Sequence, residues 1–440
     1  MVEISDPVDE ALALLGRVDA SAADAAKAAY DALTWGEGLA SISQRDVQEF
    51  LWYQLPTKWM CGLHEKVRIA SSLGRLFDLV GMQRYAAVCA SAVTTGILTG
   101  YDRDGYSAGL AAHRRAMRAS GVEPPDVPGI LVWGSMQGVE ESNAFTEVSH
   151  RLELALAAGD FRPGGRGWRG RAETVAAEFL LGERPELSGE SWLERVRAER
   201  LSRWTDCRGP SRRELTAEVV GQLAADAPVP ADAGLRLAPV RWLLAATAAD
   251  KGALLTQNGR LGRALVAEGC DRFGWLTLTP TPRSEADIVE AWTLRSMVAD
   301  LRATRRRGRA LLATQRGRRL AAADDATLWS AVVPALIPPD PAEAAAAEIM
   351  LLLLLTDDSP SYQGMTETIA RTLAEEGWAD ADGQPPGSGH AGSMAGELHR
   401  RLSLLGLLAD KDGFSADRLS PAGRAAARSA LRAHALRPRD

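Results

Sequence analysis

The stretch Leu301–Leu320, LRATRRRGRALLATQRGRRL, constrains the fold of this chain more than any other. Two short extended runs, about 302–306 and 310–314, flank Gly308, which reads as a β-hairpin turn. Thr314 then caps a helical run, and Gly317 falls in its first turn, where a glycine permits close packing. An echo of that ending returns about a hundred residues later. Ala313-Thr314-Gln315-Arg316-Gly317-Arg318 pairs with Leu419-Ser420-Pro421-Ala422-Gly423-Arg424, and Gly274-Trp275 pairs with Gly377-Trp378. The pairing predicts a fold used twice.

The chain around it is predominantly helical. Ser43 followed by Asp46 reads as a capped start, with Val47, Phe50 and Leu51 inward. Apolar stripes at helical spacing predict helices at 59–80, 83–98, about 105–119 and 141–157. Residues 1–157 therefore read as a helical domain with the tryptophans in its seams. The Gly- and Arg-rich run 158–172, AGDFRPGGRGWRGRA, breaks the pattern. Helices at 173–183 and 191–205 follow, then one opened by Ser211 and Glu214 as a capping box. The segment 158–234 thus forms a connector, ending in the linker DAPVPADAG. Beyond it the order is helix 238–248, a short extended piece, a helix from about Asn258, a helix opened by Ser284 and Asp287, the hairpin, and a closing helix. After IPPDPAE come helices at 343–355, 364–377 and 393–407, a hairpin around Gly413, and a last helix from Pro421.

This order, helix, strand, helix, helix and a two-stranded wing, carried by the cap-and-glycine motif above, resembles the tandem winged-helix segments of uncharacterised, Arg-rich actinobacterial proteins. The resemblance covers about 238–435. It implies a mainly α fold: a helical N-terminal domain, then two winged-helix-like (α+β) units with short wing hairpins, at 235–336 and 337–440. It implies no single function, since winged helices bind DNA, RNA and proteins.

Charge is uneven in a chain whose net charge is −6. Residues 321–390 hold twelve acids and one base, Arg371, while Leu301–Leu320 holds eight arginines and no acid. That balance excludes a histone-like basic coat but leaves room for a local basic patch. Arg302, Arg305, Arg306, Arg307 and Arg309 on the hairpin, with Arg316, Arg318 and Arg319 on the next helix, are the candidate nucleic-acid contacts. Arg166 and Arg169, beside Trp168, are a second candidate, by charge and stacking. Two features oppose groove reading. The helix before the hairpin carries Glu285, Asp287, Glu290 and Asp300 against Arg295, and helix 364–377 carries Glu367, Glu375 and Glu376 against Arg371. Arg260 and Arg263 are alternative contacts, and Arg424, Arg428 and Arg432 share one helical face.

Three functions stay open. The first is nucleic-acid binding, DNA before RNA, in a regulatory or DNA-transaction role. The second is a scaffold whose winged helices mediate assembly, with 337–440 docking a partner protein or a second copy. The third is a winged-helix nucleic-acid repair enzyme with its site in 1–157. No catalytic residue or metal site stands out, and no cofactor is expected: Gly165–Gly170 and Gly387–Gly392 match GxGxxG without the strand that its nucleotide-binding use needs. Cys61, Cys89, Cys207 and Cys270 are scattered as in reduced cytosolic proteins. The most apolar run, Ile349–Leu355, is too short to span a bilayer. A cytoplasmic protein is expected.

Overall fold

A computed structural model describes residues 6–206, 208–275, 285–356, 361–409 and 418–439. The chain is mainly helical, with one small antiparallel sheet. It divides into two compact units, Met1–Val196 with Pro438–Asp440, and Arg197–Arg437.

The first unit contains α1 (Pro7–Val18), α2 (Ala20–Thr34), α3 (Gln44–Glu49), a π-helical turn (Phe50–Gln54) and α4 (Leu55–Lys58). It continues with α5 (Leu63–Leu79), α6 (Gln83–Cys89), α7 (Ala92–Arg103), α8 (Tyr106–Ser120), α9 (Val139–Ala158) and α10 (Trp168–Leu181). Ser43 and Asp46 form the expected capping box at α3. The single helix predicted at 83–98 is two, because Ser91 accepts the Thr94 N–H and caps a fresh start at α7. Phe50, Leu51, Leu55, Leu73, Leu76 and Phe77 are fully buried at its centre. A smaller cluster gathers Val148, Leu152, Phe161, Trp168 and Leu180.

α11 (Trp192–Asp206) is followed by the second unit's α12 (Pro210–Val219), α13 (Ala233–Arg236), α14 (Ala238–Ala248), β1 (Ala253–Leu254), α15 (Arg263–Phe273) and α16 (Val289–Asp300). Next come β2 (Thr304–Arg307), β3 (Ala310–Ala313), α17 (Gln315–Ala321), α18 (Asp325–Val332), α19 (Pro341–Thr356), α20 (Tyr362–Glu375), α21 (Ser388–Leu404) and α22 (Pro421–Ala435). The apolar α19 lies against α12, α20, α21 and α22. Its Leu351, Leu352 and Leu354 are buried in the unit's core. Among the described residues no helix is long and apolar enough to cross a membrane.

Several predicted starts move. Ser211 does not cap its helix; α12 begins at Pro210, and the Ser211 hydroxyl donates to Glu375. The helix expected from Asn258 begins at Arg263, since Thr256–Arg260 is closed into a turn by Thr256 N–H to Arg260 O. α21 opens at Ser388, so most of the second glycine-rich motif is helical. Ser284, Cys207 and the hairpin expected around Gly413 lie outside the described residues.

The two paired stretches share backbone geometry in detail. Thr314 N–H donates to Ala303 O at 2.9 Å, and Ser420 N–H to Leu407 O at 2.9 Å. Gly317 N–H donates to Thr314 Oγ1 at 3.1 Å, and Gly423 N–H to Ser420 Oγ at 3.0 Å. A Cβ at Gly317 would collide with the Ala303 carbonyl oxygen, and one at Gly423 with that of Leu407. Close backbone approach is what both glycines are for.

Buried ion pairs tie the second unit together. Glu348 and Arg212 are each about 1% exposed. Glu348 Oε2 takes Arg208 at 3.1 Å, Arg212 at 3.2 Å and His434 at 3.1 Å. Burial alone would raise this carboxyl; the His434 hydrogen bond and the Arg212 and Arg208 charges outweigh it and hold it at about 2.

Candidate nucleic-acid interface

The sheet order is β1-β3-β2, which leaves β2 at an edge. Arg307 pairs with Ala310 across a two-residue turn, and Gly308 occupies its first position with φ +59°. That is the placement a Gly-first hairpin turn requires. An edge strand of three successive arginines is also protected from pairing with another strand, because charge must be desolvated to add one.

Register sorts these arginines by face. Arg306 stands opposite Leu311, which is buried. Arg305 stands opposite Leu312, and Arg307 opposite Ala310. Opposite residues share a face, and neighbours alternate. Arg305 and Arg307 therefore share the outer face, while Arg306 falls on the core side of the ribbon. There its guanidinium lies close to Gly259, and its Nε–H donates to Gly308 O at 3.0 Å. Arg309 Nε–H donates to Leu255 O at 3.3 Å, and Arg318 to Ala313 O at 3.1 Å.

All eight arginines of Leu301–Leu320 are exposed. Among the described residues none lies within ion-pair distance of a carboxylate. Other arginines of the unit behave differently: Arg212, Arg295, Arg401 and Arg432 pair with Glu348, Glu285, Asp300 and Asp226 at 2.6–3.2 Å. Among the described residues of the acidic stretch 321–390, no carboxylate pairs with the hairpin.

Arg302 is more unusual. Arg302 N–H bonds to Ala299 O and Ala303 N–H to Val298 O, the paired bonds of a Schellman helix end. The residue between must enter the left-handed region, and Arg302 has φ +52°. Among the described residues the same pair of bonds recurs at Gly81, Gly159, Gly377 and Gly406, and at Ser188 after the short 3-10 helix Pro185–Leu187. An arginine there costs about 1–2 kcal/mol that glycine avoids.

The helix before the hairpin is less acidic on its surface than its sequence suggests. Glu285 is buried, taking Arg295 Nε–H and Leu261 N–H, both at 2.6 Å. Asp300 pairs with Arg401 of α21 at 2.6 Å. α21 packs along α16, with the Arg400 guanidinium 5.3 Å from the Trp292 ring centre. Part of the surface that a groove-reading helix would offer is therefore already covered.

The remaining candidates fall apart as a group. Arg166 precedes α10, and Arg169 lies in its first turn, where a broken pattern was expected. Trp168 is buried, with Arg169 over its ring at 4.9 Å, so it presents no stacking surface. Of the supposed basic face on α22, Arg432 is buried on Asp226 and Leu223 O, and Arg424 reaches Leu355 O at 3.5 Å. Exposed Arg260, by contrast, belongs to the turn that Arg306 touches, and exposed Arg263 opens the next helix. The signal for them was already in the sequence, in Asn258-Gly259 as a turn dipeptide. Among the described residues no group of three or more His, Cys, Asp or Glu side chains could hold a metal. Nothing matches the chain among family models, curated proteins or solved structures.

Proposed function

We propose that the protein binds nucleic acid, duplex DNA in the first instance, through the hairpin Thr304–Ala313 and the start of α17. On this reading 235–336 and 337–440 are tandem winged-helix-like units, and the hairpin is the wing of the first. The observation that carries it is the set of eight exposed arginines without carboxylate partners among the described residues. Free cations on a protruding edge suit phosphate oxygens, and each contact releases condensed counterions. The left-handed Arg302 supports the same reading, because backbone strain is retained where a side chain is needed for a task.

Contact is led by the wing and not by a helix in the major groove, since α16 is packed by α21. Affinity should accordingly depend steeply on salt and weakly on sequence. An anisotropy titration of the full chain with mixed-sequence duplex, over a range of salt, tests this. Binding at low salt, with a slope that flattens when Arg305, Arg307 and Arg309 are replaced by Ala, supports it. Absence of binding at low salt would overturn it.

A second reading, assembly through 337–440, rests on one observation: α21 already acts as a packing surface for α16 within the chain. A monomer by sedimentation, with no co-purifying partner, counts against it.

A further inference from the structure

The second unit holds a cleft of about 750 Å³, of a size that takes small molecules. It opens among α12, α19, α20 and α22. Most of its charge is already spent. Glu348 holds Arg208, Arg212 and His434 on one oxygen. Glu376 takes Arg212 at 2.6 Å and the Gly209 N–H at 3.3 Å. Glu375 takes the Ser211 hydroxyl at 2.9 Å and the Ser211 N–H at 3.3 Å.

Arg437 is the exception. Its N–H donates to His434 O at 3.3 Å, which sets it one turn beyond that histidine, on the cleft wall. Among the described residues its guanidinium meets no carboxylate and makes one long bond, to Pro334 O at 3.4 Å. It keeps solvent-accessible surface, yet enough protein surrounds it to lower its pKa from the ordinary value, and no carboxylate pushes back. Arg208 has capacity to spare as well. Its side chain is 26% exposed, and one Nη donates to Glu348 while the other makes no bond among the described residues. The rest of the wall is apolar and open to a ligand: Pro339 and Pro341 are exposed, and Trp378 is partly so.

We propose that this cleft binds a small monocarboxylic acid with a flat apolar body. The carboxylate is held by Arg437, with the free Nη of Arg208 as a second donor, and the body lies along Trp378 and the two prolines. A guanidinium meets a carboxylate with two parallel hydrogen bonds. One negative charge suits the cleft better than a phosphate dianion, because Glu375 and Glu376 border it and repel a second. The inference shares no residue with the basic hairpin and stands or falls separately from it.

Calorimetric titration of the full chain with phenylacetate, phenylacetamide, acetate and phenyl phosphate tests it. Phenylacetate should bind. Phenylacetamide, which keeps the body and loses the charge, should bind about tenfold more weakly. Acetate, which keeps the charge and loses the body, and phenyl phosphate, a dianion, should also be weaker. Arg437→Gln, an exposed change that spares the fold, should bring phenylacetate down to the affinity of the amide and leave the amide unchanged. Arg371→Gln, exposed on α20 and outside the cleft, should leave phenylacetate unchanged. No binding of phenylacetate at millimolar concentration would overturn the proposal. So would equal affinity for acid and amide, for phenylacetate and acetate, or for carboxylate and phosphate, and so would equal losses in the two variants.

Discussion

Arg302 and Gly406 occupy the same place in two stretches of near-identical backbone geometry. Each ends a helix in the left-handed region, at φ +52° and +59°. Each precedes a residue, Ala303 or Leu407, whose carbonyl accepts the cap of the next helix. Their surroundings differ. Arg302 is exposed and followed by a basic hairpin, whereas the Gly406 carbonyl is covered by the Arg236 guanidinium. In the second stretch arginine serves packing, through Arg401 on Asp300 and Arg432 on Asp226. In the first it is spent on solvent. The contrast teaches that arginine count says little and partner count says a great deal: a buried guanidinium held by a carboxylate is structure, and one facing water is available.

The comparison breaks most sharply at Glu348. Glu348→Gln removes the carboxylate shared by Arg208, Arg212 and His434, and leaves Arg212 on Glu376 alone; it should cost about 3 kcal/mol, the low end for a broken buried pair, read as a fall in the denaturation midpoint. Nucleic-acid affinity of the folded fraction should stay unchanged. The same carboxyl gives a pH signature. Its folded value, about 2, lies below the ordinary 4.5, so its stabilisation is present above pH 4.5 and is lost as pH falls toward 2. Acid unfolding followed by circular dichroism should show that arm in the native protein and lose it in the Gln variant.

The converse change leaves stability alone. Replacing Arg305, Arg307 and Arg309 with Ala should alter the melting midpoint by no more than about 0.5 kcal/mol equivalent. It should flatten the salt dependence of DNA affinity by about 2.7 logarithmic units per decade, if each residue contacts one phosphate. Equal loss of binding in a matched set at Arg371, Arg424 and Arg428 would erase the distinction between the stretches.

Gly317→Ala and Gly423→Ala probe what the stretches have in common. Each places a methyl on a backbone carbonyl that cannot swing away, and each should cost about 1–3 kcal/mol. A large effect at one and none at the other would show that the shared geometry is not shared energetically. The smallest effect belongs to Arg302→Gly. Relief of the left-handed strain should stabilise the protein by up to about 1 kcal/mol, while DNA affinity falls.

Much of the local structure was legible in the residues. Thr314 with Gly317 and Ser420 with Gly423 marked helix starts, Gly308 marked the hairpin turn, and Ser43 with Asp46 marked α3, because cap and turn chemistry acts over three or four residues. Failures were of two kinds. Competing local signals hid Ser91 as a cap inside an apolar stripe. Distant partners reassigned Ser211 to Glu375, Glu285 to Arg295 and Leu261, and Trp168 to the core.

The candidate site followed the same division. Sequence determined that eight arginines cluster around one glycine, and that the turn must open there. Only the tertiary structure decided that Arg305 and Arg307 share the outer face while Arg306 leans on the Gly259 turn, that α21 packs on α16, and that no carboxylate among the described residues answers the cluster. The physical reason is range. Backbone preference and capping are set by neighbours along the chain, whereas burial and charge pairing are set by groups that meet only once the chain has packed.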